Sequence, residues 1–277
     1  MEKKIIFFDI DGTLVIGNEI SKKVRYTLEE LLKKGHYTFI CTGRSAASKL
    51  EGVPFYGHIC SAGAYIEMKD KVVYESNMDY KDVQEILSFF EEHGIASSVE
   101  TNEINYDDMR YTSWVYEKFH GPLNSELERF KYFLEHDYKA RDLKELNESI
   151  KVKKISFLID KEEISQMIME RYKDTYNVTA FTNAQGLYNG EIAQKTCTKG
   201  TGVKMVSELL HMPITSTIGF GDEMNDVEMI KTCHVGVVME NGCDELKQYA
   251  TCICESVMDD GIYYECLRRK LIDAYKE

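Results

Sequence analysis

Residues 5–14 run Ile5-Ile6-Phe7-Phe8-Asp9-Ile10-Asp11-Gly12-Thr13-Leu14: four large apolar side chains stop abruptly at two carboxylates, and a glycine follows. A short, unbroken apolar run of this kind suits a strand buried on both faces of a parallel sheet. The carboxylates then emerge at the carboxyl end of the strand, where open α/β sheets hold their ligands. More than two hundred residues further on, Ile218-Gly219-Phe220-Gly221-Asp222-Glu223-Met224-Asn225-Asp226 repeats the arrangement. The plain alternative for each motif is an acidic strand end or helix start, since Asp222 and Asp226 would also favour a helix N-terminus through its dipole.

The elements around these motifs alternate. An apolar strand at 4–8 is followed by a helix at 22–34, with Ser21 as its cap, Val24, Leu28, Leu31 and Leu32 at helical spacing, and Gly35 past its end. A strand follows at 37–41, and Ile59 marks another. The alternation predicts an α/β fold with a Rossmann-like, mostly parallel sheet covered on both faces. From about residue 80 the texture changes to an amphipathic helix through Val83, Ile86, Leu87 and Phe90, a strand at 97–99, a charged stretch at 125–151, a strand at 154–159, a helix at 164–172 and a strand at 178–181. This reads as an α+β unit inserted into the first domain. The expected division is a core of residues 1–81 and 188–277 and an insert of residues 82–187. In the returning core, helices are expected at 199–210, 226–232, 243–250 and 262–275, and strands at 216–220, 235–239 and 251–254.

Bulk properties narrow the partners. A 277-residue chain with 43% hydrophobic and 29% charged residues is long enough for two domains with ordinary cores. Its net charge of −13 argues against a nucleic-acid partner. It does not exclude a small anionic substrate, because a metal and local cations dominate the field of a site. No apolar run approaches the roughly 20 residues of a membrane span, and Met1-Glu2-Lys3-Lys4 leads straight into the first strand, so the reading is cytoplasmic, without membrane association. The eight cysteines, Cys41, Cys60, Cys197, Cys233, Cys243, Cys252, Cys254 and Cys266, form no Cys-x-x-Cys pair and read as free thiols of a reducing compartment.

Two carboxylates as close as Asp9 and Asp11 suit a nucleophile or metal ligand beside a general acid/base. Asp222 supplies a third acid. Asp9, Asp222 and the Asp11 carbonyl make an oxygen set of the kind Mg²⁺ prefers. Thr42-Gly43-Arg44 follows the strand at 37–41, and a hydroxyl with free N–H groups at such a turn suits a phosphate oxygen. Lys199 opens a helix, against the usual preference for acids there, which favours a phosphate-binding role over that of an exposed lysine.

Together these motifs resemble the haloacid dehalogenase superfamily of phosphohydrolases, in its Cof-type branch, subclass IIB, with an inserted α+β cap of type C2B. The residues that carry the resemblance are Phe8-Asp9-Ile10-Asp11-Gly12-Thr13-Leu14, Cys41-Thr42-Gly43-Arg44, Thr198-Lys199-Gly200, Gly221-Asp222 with Asn225-Asp226, Val238-Met239-Glu240-Asn241-Gly242 and Asp260-Gly261-Ile262. The resemblance implies that Asp9 attacks phosphorus and forms an aspartyl-phosphate. Asp11 would protonate the leaving oxygen and then deprotonate water. Mg²⁺ would sit on Asp9, Asp222 and the Asp11 carbonyl, and Thr42, Lys199 and Asn225 would hold phosphoryl oxygens, with Gly43 and Arg44 in the same binding turn. Asp226 would orient Lys199 or the shell around the metal.

Two positions depart from the family pattern. Ala62 stands where asparagine is usual, and Glu240 where glycine is common. In the insert, Tyr106, Arg110, Tyr111 and Trp114 form an aromatic cluster that reads as cap core with a surface arginine rather than as a binding site. The expected function is a Mg²⁺-dependent phosphatase for small phosphorylated metabolites, sugar phosphates above all, working as a monomer or homodimer. The alternatives are a phosphosugar mutase of the same superfamily and a non-catalytic metabolite-binding or regulatory protein.

Overall fold

The computed structural model describes residues 2–15, 19–45, 52–118, 140–182 and 188–276. Along the chain the strands are β1 (Ile5–Phe8), β2 (Tyr37–Cys41), β3 (Gly57–Cys60), β4 (Tyr65–Met68), β5 (Lys71–Glu75), β6 (Ala96–Glu100), β7 (Asn105–Asp107), β8 (Ala140–Asp142), β9 (Lys154–Ile159), β10 (Tyr176–Thr182), β11 (Tyr188–Gln194), β12 (Thr217–Gly221), β13 (Val235–Met239) and β14 (Cys252–Cys254). The described α-helices are α1 (Lys22–Lys33), α2 (Tyr80–Glu92), α3 (Met109–Lys118), α4 (Glu162–Tyr172), α5 (Lys199–Leu209), α6 (Val227–Thr232), α7 (Asp244–Lys247) and α8 (Gly261–Arg268). The chain divides into two compact units, one of Met1–Glu75 with Thr196–Glu277, the other of Ser76–Lys195.

The first unit is built on an eight-stranded sheet in the order β14-β13-β12-β1-β2-β3-β4-β5, parallel from β14 to β3 and antiparallel at β4 and β5. Its centre explains the apolar run of β1. Successive side chains of a strand point to opposite faces, and here each face meets helices. Ile6 and Phe8 pack with Val24, Leu28 and Leu31 of α1 and Ile262 and Cys266 of α8. Ile5 and Phe7 pack on the other side with Val203 and Val206 of α5 and Met229 of α6. A strand with two buried faces has no polar position to spare, so all four residues are fully buried. The Ser21 hydroxyl accepts from the Val24 N–H and starts α1, and Gly35, at φ +82°, ends it in the left-handed region.

The second unit holds a six-stranded sheet in the order β10-β11-β9-β6-β7-β8. Ile155, Phe157 and Ile159 of β9 face an apolar layer formed with Val83, Ile86 and Phe90 of α2 and Ile168 of α4. Two of the alternate residues carry polar groups: Lys154 bridges Glu191 and Glu100, and the Ser156 hydroxyl donates to Glu100. The mixed helix-and-sheet composition of the insert is as the sequence implied. The strand β11, which the sequence assigned to the returning core, pairs antiparallel with β9 and β10 inside this second sheet.

Some elements escaped the sequence pattern. The β4–β5 hairpin is short and its outer strand is largely exposed, so its few apolar residues make no distinct strand signal. The last helix stops at Arg268 rather than Tyr275, because Lys270 adopts φ +59° and breaks the ladder, although Leu271 and Ile272 remain buried. The expected helix at 243–250 is reduced to the single turn of α7.

Phe8 and Phe220 stack across β1 and β12 with centroids 5.2 Å apart, both fully buried. Truncating Phe220 to alanine removes that stack and leaves a cavity against the central strand. Urea unfolding of Phe220→Ala is expected to show a loss of about 3–5 kcal/mol with an unchanged m value. A loss below about 1 kcal/mol would mean that the sheet centre does not depend on this contact.

Candidate active site

Register brings the two acidic motifs together. β1 lies between β12 and β2, parallel to both, with Phe8 beside Phe220 and beside Ile40. The next residues therefore emerge at one edge of the sheet: Asp9 after β1, Asp222 after β12, and Thr42 after β2. The strand order reverses about β1, the position at which open α/β sheets form a crevice. One backbone bond, from Asp9 N–H to the Phe220 carbonyl at 3.0 Å, continues the ladder to the first acid.

The turn after Asp9 depends on glycine. Gly12 has φ +78°, and a Cβ there would lie 2.1 Å from the Asp222 carboxylate. A side chain would both strain the backbone and displace an acid. Thr13, fully buried, donates its hydroxyl to Asp222 Oδ1 at 2.8 Å. Sequence reasoning left Thr13 as part of the motif with no role of its own, since its partner lies 209 residues away.

Lys199 sits in the first turn of α5, where the Thr198 cap and Thr201 satisfy the free N–H groups reciprocally. Its ammonium is buried and donates to Asp9 Oδ1 at 2.6 Å and Asp226 Oδ1 at 2.5 Å. Burial opposes its charge, but the facing Asp226 and Asp9 carboxylates outweigh this and hold its pKa above the ordinary lysine value. Asp226 accepts further bonds at Oδ2 from the N–H groups of Asp222 and Glu223, at 3.0 and 3.3 Å. It thus braces both Lys199 and the loop that carries Asp222.

Asp9, Asp222 and Asp226 offer carboxylate oxygens within 4.8 Å of one another. Of these three acids, Asp9 and Asp226 pair with the Lys199 ammonium, and the excess of negative charge is visible in Asp222. Burial, then the neighbouring Asp9 carboxylate, pushes its pKa up to about 8, against the Thr13 hydroxyl bond. Both oxygens of Asp226 are taken by protein donors, whereas Asp9 and Asp222 each hold a bond at Oδ1. A divalent cation that prefers oxygen ligands fits this set, with Asp9 and Asp222 as carboxylate ligands.

The remaining predicted residues lie around this centre. Asp11 is about one-third exposed and accepts from Arg44 at 2.6 Å, so two of the expected functional groups pair with each other. The Thr42 hydroxyl is buried and accepts from the Arg44 N–H at 3.1 Å, while Gly43 faces open space. Asn225 is exposed on the turn between Asp222 and Asp226.

Ala62 now has a physical setting. Ser61, Ala62 and Gly63 occupy consecutive left-handed conformations at φ +49°, +51° and +99°. For the two non-glycine residues this costs roughly 1–2 kcal/mol each. The turn nevertheless braces the site through its backbone. Ser61 N–H donates to the Arg44 carbonyl and Ala62 N–H to the Thr42 carbonyl. In the second unit, Tyr106 and Tyr111 are buried and Arg110 is paired with Asp108. The Trp114 side chain lies outside the described residues.

Residues 6–265 match the model of a family described as haloacid dehalogenase-like hydrolase. YkrA of Bacillus subtilis (strain 168) is 27% identical over 277 residues, covering 95% of this chain and 96% of its own. The 5-amino-6-(5-phospho-D-ribitylamino)uracil phosphatase YitU of the same organism is 25% identical over 288 residues, covering 95% and 96%. Among solved structures, the subclass IIB sugar phosphatase BT4131 superposes with a TM-score of 0.76 at 22% identity, over 98% of this chain and 100% of that one. Among the described residues no helix is long and apolar enough to cross a membrane.

The raised pKa of Asp222 sets a pH dependence. Its native value of about 8 lies above the ordinary 3.8, so between these values the native, metal-free protein binds more protons than the unfolded chain. This group's contribution is fully present below about pH 4 and is lost as pH rises through about 8. A bound cation must displace the same proton. The rise in Tm on adding divalent metal is therefore expected to grow from pH 6 to pH 8, and to lose that trend in Asp222→Asn. An increment independent of pH in the wild-type protein would contradict this.

Proposed function

The chain belongs to the haloacid dehalogenase-like hydrolase family and is a phosphoric monoester hydrolase, and on that premise we propose that it is a Mg²⁺-dependent phosphatase of small phosphorylated metabolites, sugar phosphates above all. The observation that carries the reading is the meeting of Asp9, Asp222, Lys199 and Thr42 at the carboxyl ends of β12, β1 and β2. Phosphoryl transfer asks a protein mainly for in-line positioning and for charge opposite the phosphoryl oxygens. The meeting of these residues supports the reading.

In this reading an Asp9 oxygen attacks phosphorus, the bond to the ester oxygen breaks, and Asp11 delivers a proton to that oxygen as the alcohol leaves. The aspartyl-phosphate is then attacked by water, whose proton returns to Asp11, and inorganic phosphate leaves with Asp9 restored. Mg²⁺, held by Asp9, Asp222 and the Asp11 carbonyl, would offset the repulsion between the attacking carboxylate and the anionic phosphoryl group. Lys199 steadies Asp9 and offers positive charge to a phosphoryl oxygen. The buried Thr42 hydroxyl, the open backbone at Gly43, the Arg44 guanidinium and the Asn225 amide take the other oxygens. Asp226 keeps Lys199 in place.

Substrate class rests on the relatives. BT4131 is named for sugar phosphates and YitU for a phosphate ester of a ribityl chain, and both pair a phosphate with a polyol. The inserted unit is assigned the role of cap, and selection of the organic part of the substrate is assigned to it. The same reading makes the protein a cytoplasmic enzyme.

The test is phosphate release from a panel of sugar phosphates, nucleotides and an aryl phosphate, with Mg²⁺ and with chelator. Wild-type protein is expected to release phosphate only with metal, with sugar phosphates preferred. Asp9→Asn is expected to lose on the order of a thousandfold or more in kcat while remaining folded. Folded, metal-loaded protein that releases no phosphate from any of these esters would overturn the proposal, and isomerised sugar phosphate without free phosphate would point to a mutase.

A further inference from the structure

The loop after β13 holds both acidic motifs by their backbones. Asn241 is exposed, yet its side chain makes two bonds. Nδ2 donates to the Gly12 carbonyl at 2.8 Å, and Oδ1 accepts from the Val257 N–H at 2.8 Å. A carbonyl can only accept and a backbone N–H can only donate, so these partners fix which way the amide points. Two residues on, the Cys243 N–H donates to the Asp222 carbonyl at 2.9 Å. Between them, Gly242 approaches so closely that a Cβ would lie 2.8 Å from that same carbonyl. One short loop therefore grips the residue after Asp11 and the backbone of Asp222.

The Gly12 carbonyl is well placed for this grip to matter. Gly12 N–H donates to the Val15 carbonyl, which closes the turn, and the left-handed Gly12 sets where the Asp11 backbone and side chain lie. The direct side-chain tie between the two motifs, from Thr13 to Asp222, holds the acid but not the Asp11 peptide. The opposite end of the Asn241 amide is anchored in the turn before α8, against which the first residue of α8, Gly261, packs so tightly that a Cβ would lie 1.9 Å from the Glu255 carbonyl. The clamp thus ties a turn at the site to a tightly packed turn elsewhere in the same unit.

We propose that Asn241 is a positioning residue for the phosphoryl-transfer site: its carboxamide fixes the Asp11–Gly12 turn relative to Asp222. The inference rests on the reading of Asp9, Asp11 and Asp222 given above. A positioning role differs from a merely structural one in what it moves. Loss of the clamp misplaces the acid/base and one metal-facing carbonyl, so turnover and metal response fall while substrate affinity and fold persist.

Asn241→Asp is the sharpest probe. It keeps an oxygen for Val257 but sets a carboxylate oxygen against the Gly12 carbonyl. Asn241→Ala removes both bonds, and Glu240→Gln, an exposed neighbour in the same loop, serves as control. At saturating Mg²⁺, Asn241→Asp and Asn241→Ala are expected to lower kcat on the order of tenfold, as the loss of one well-placed hydrogen bond does, with KM within about twofold of wild type. The Tm of the metal-free protein is expected to stay within about 3 °C of wild type, while the rise in Tm on adding Mg²⁺ shrinks. Glu240→Gln is expected to match wild type throughout. Wild-type kcat in both Asn241 variants overturns the proposal, as does a fall in kcat matched by a large fall in metal-free Tm. Asp9→Asn, run alongside, separates the two levels: wild-type activity there overturns the reading of the site itself, and this inference with it.

Discussion

One ammonium, that of Lys199, is held between Asp9 and Asp226 out of contact with water, and much of the site is arranged around it. Burying charge is costly unless it is paired and hydrogen-bonded. Here three acids cluster and one lysine pairs with two of them, so the pairing is incomplete. Asp226 spends its oxygens on Lys199 and on two backbone N–H groups, so it is compensated. Asp222 has a hydroxyl and backbone contacts, and its raised pKa records what is missing. A bound divalent cation would offset the excess negative charge of the three acids.

The sheet makes this gathering inexpensive in conformational terms. Asp9, Thr42 and Asp222 each follow the last residue of a parallel strand, and the three strands are neighbours. Their spacing is therefore set by the ladder and by the apolar layers on either face, not by flexible loops. Glycine permits the final approach. Gly12 and Gly242 bring backbone against Asp222 from two directions, at distances that no side chain would allow. Where the chain uses Ser61 and Ala62 in left-handed conformations instead, it accepts strain, and the turn so formed supports the carbonyls of Thr42 and Arg44. That cost is borne at the edge of the site, where strained backbone is commonly concentrated.

Much of the fold was legible in the chain. The apolar run at Ile5–Phe8 announces a strand buried on two faces, and β1 is such a strand. The Ser21 cap and Gly35 stop bracket α1 as read. What was illegible shares a cause: the signal was either local and weak or not local at all. The β4–β5 hairpin is too short for its apolar residues to stand out, and α8 ends at a left-handed Lys270 that no residue-type preference indicates. β11 looks like the start of the returning core, yet its backbone groups are paired by β9 and β10. Thr13 and Asn241 were visible within motifs but had no role, because their partners are far away in sequence.

By itself, the sequence determined which chemical groups are present and at which strand ends they emerge, because apolar runs, caps and glycines are local instructions. Those instructions sufficed to set Asp9, Asp11, Thr42, Lys199 and Asp222 at the edges of elements. Tertiary structure decided which of these groups touch: that Lys199 joins Asp9 to Asp226, that Arg44 pairs with Asp11, and that Asn241 reaches Gly12. The physical reason is range. Strand and helix preferences act over a few residues, whereas the field at a buried carboxylate is set by whatever charge packing brings within a few ångströms, and the register of β12, β1 and β2 together with the packing of α5 brings these charges there.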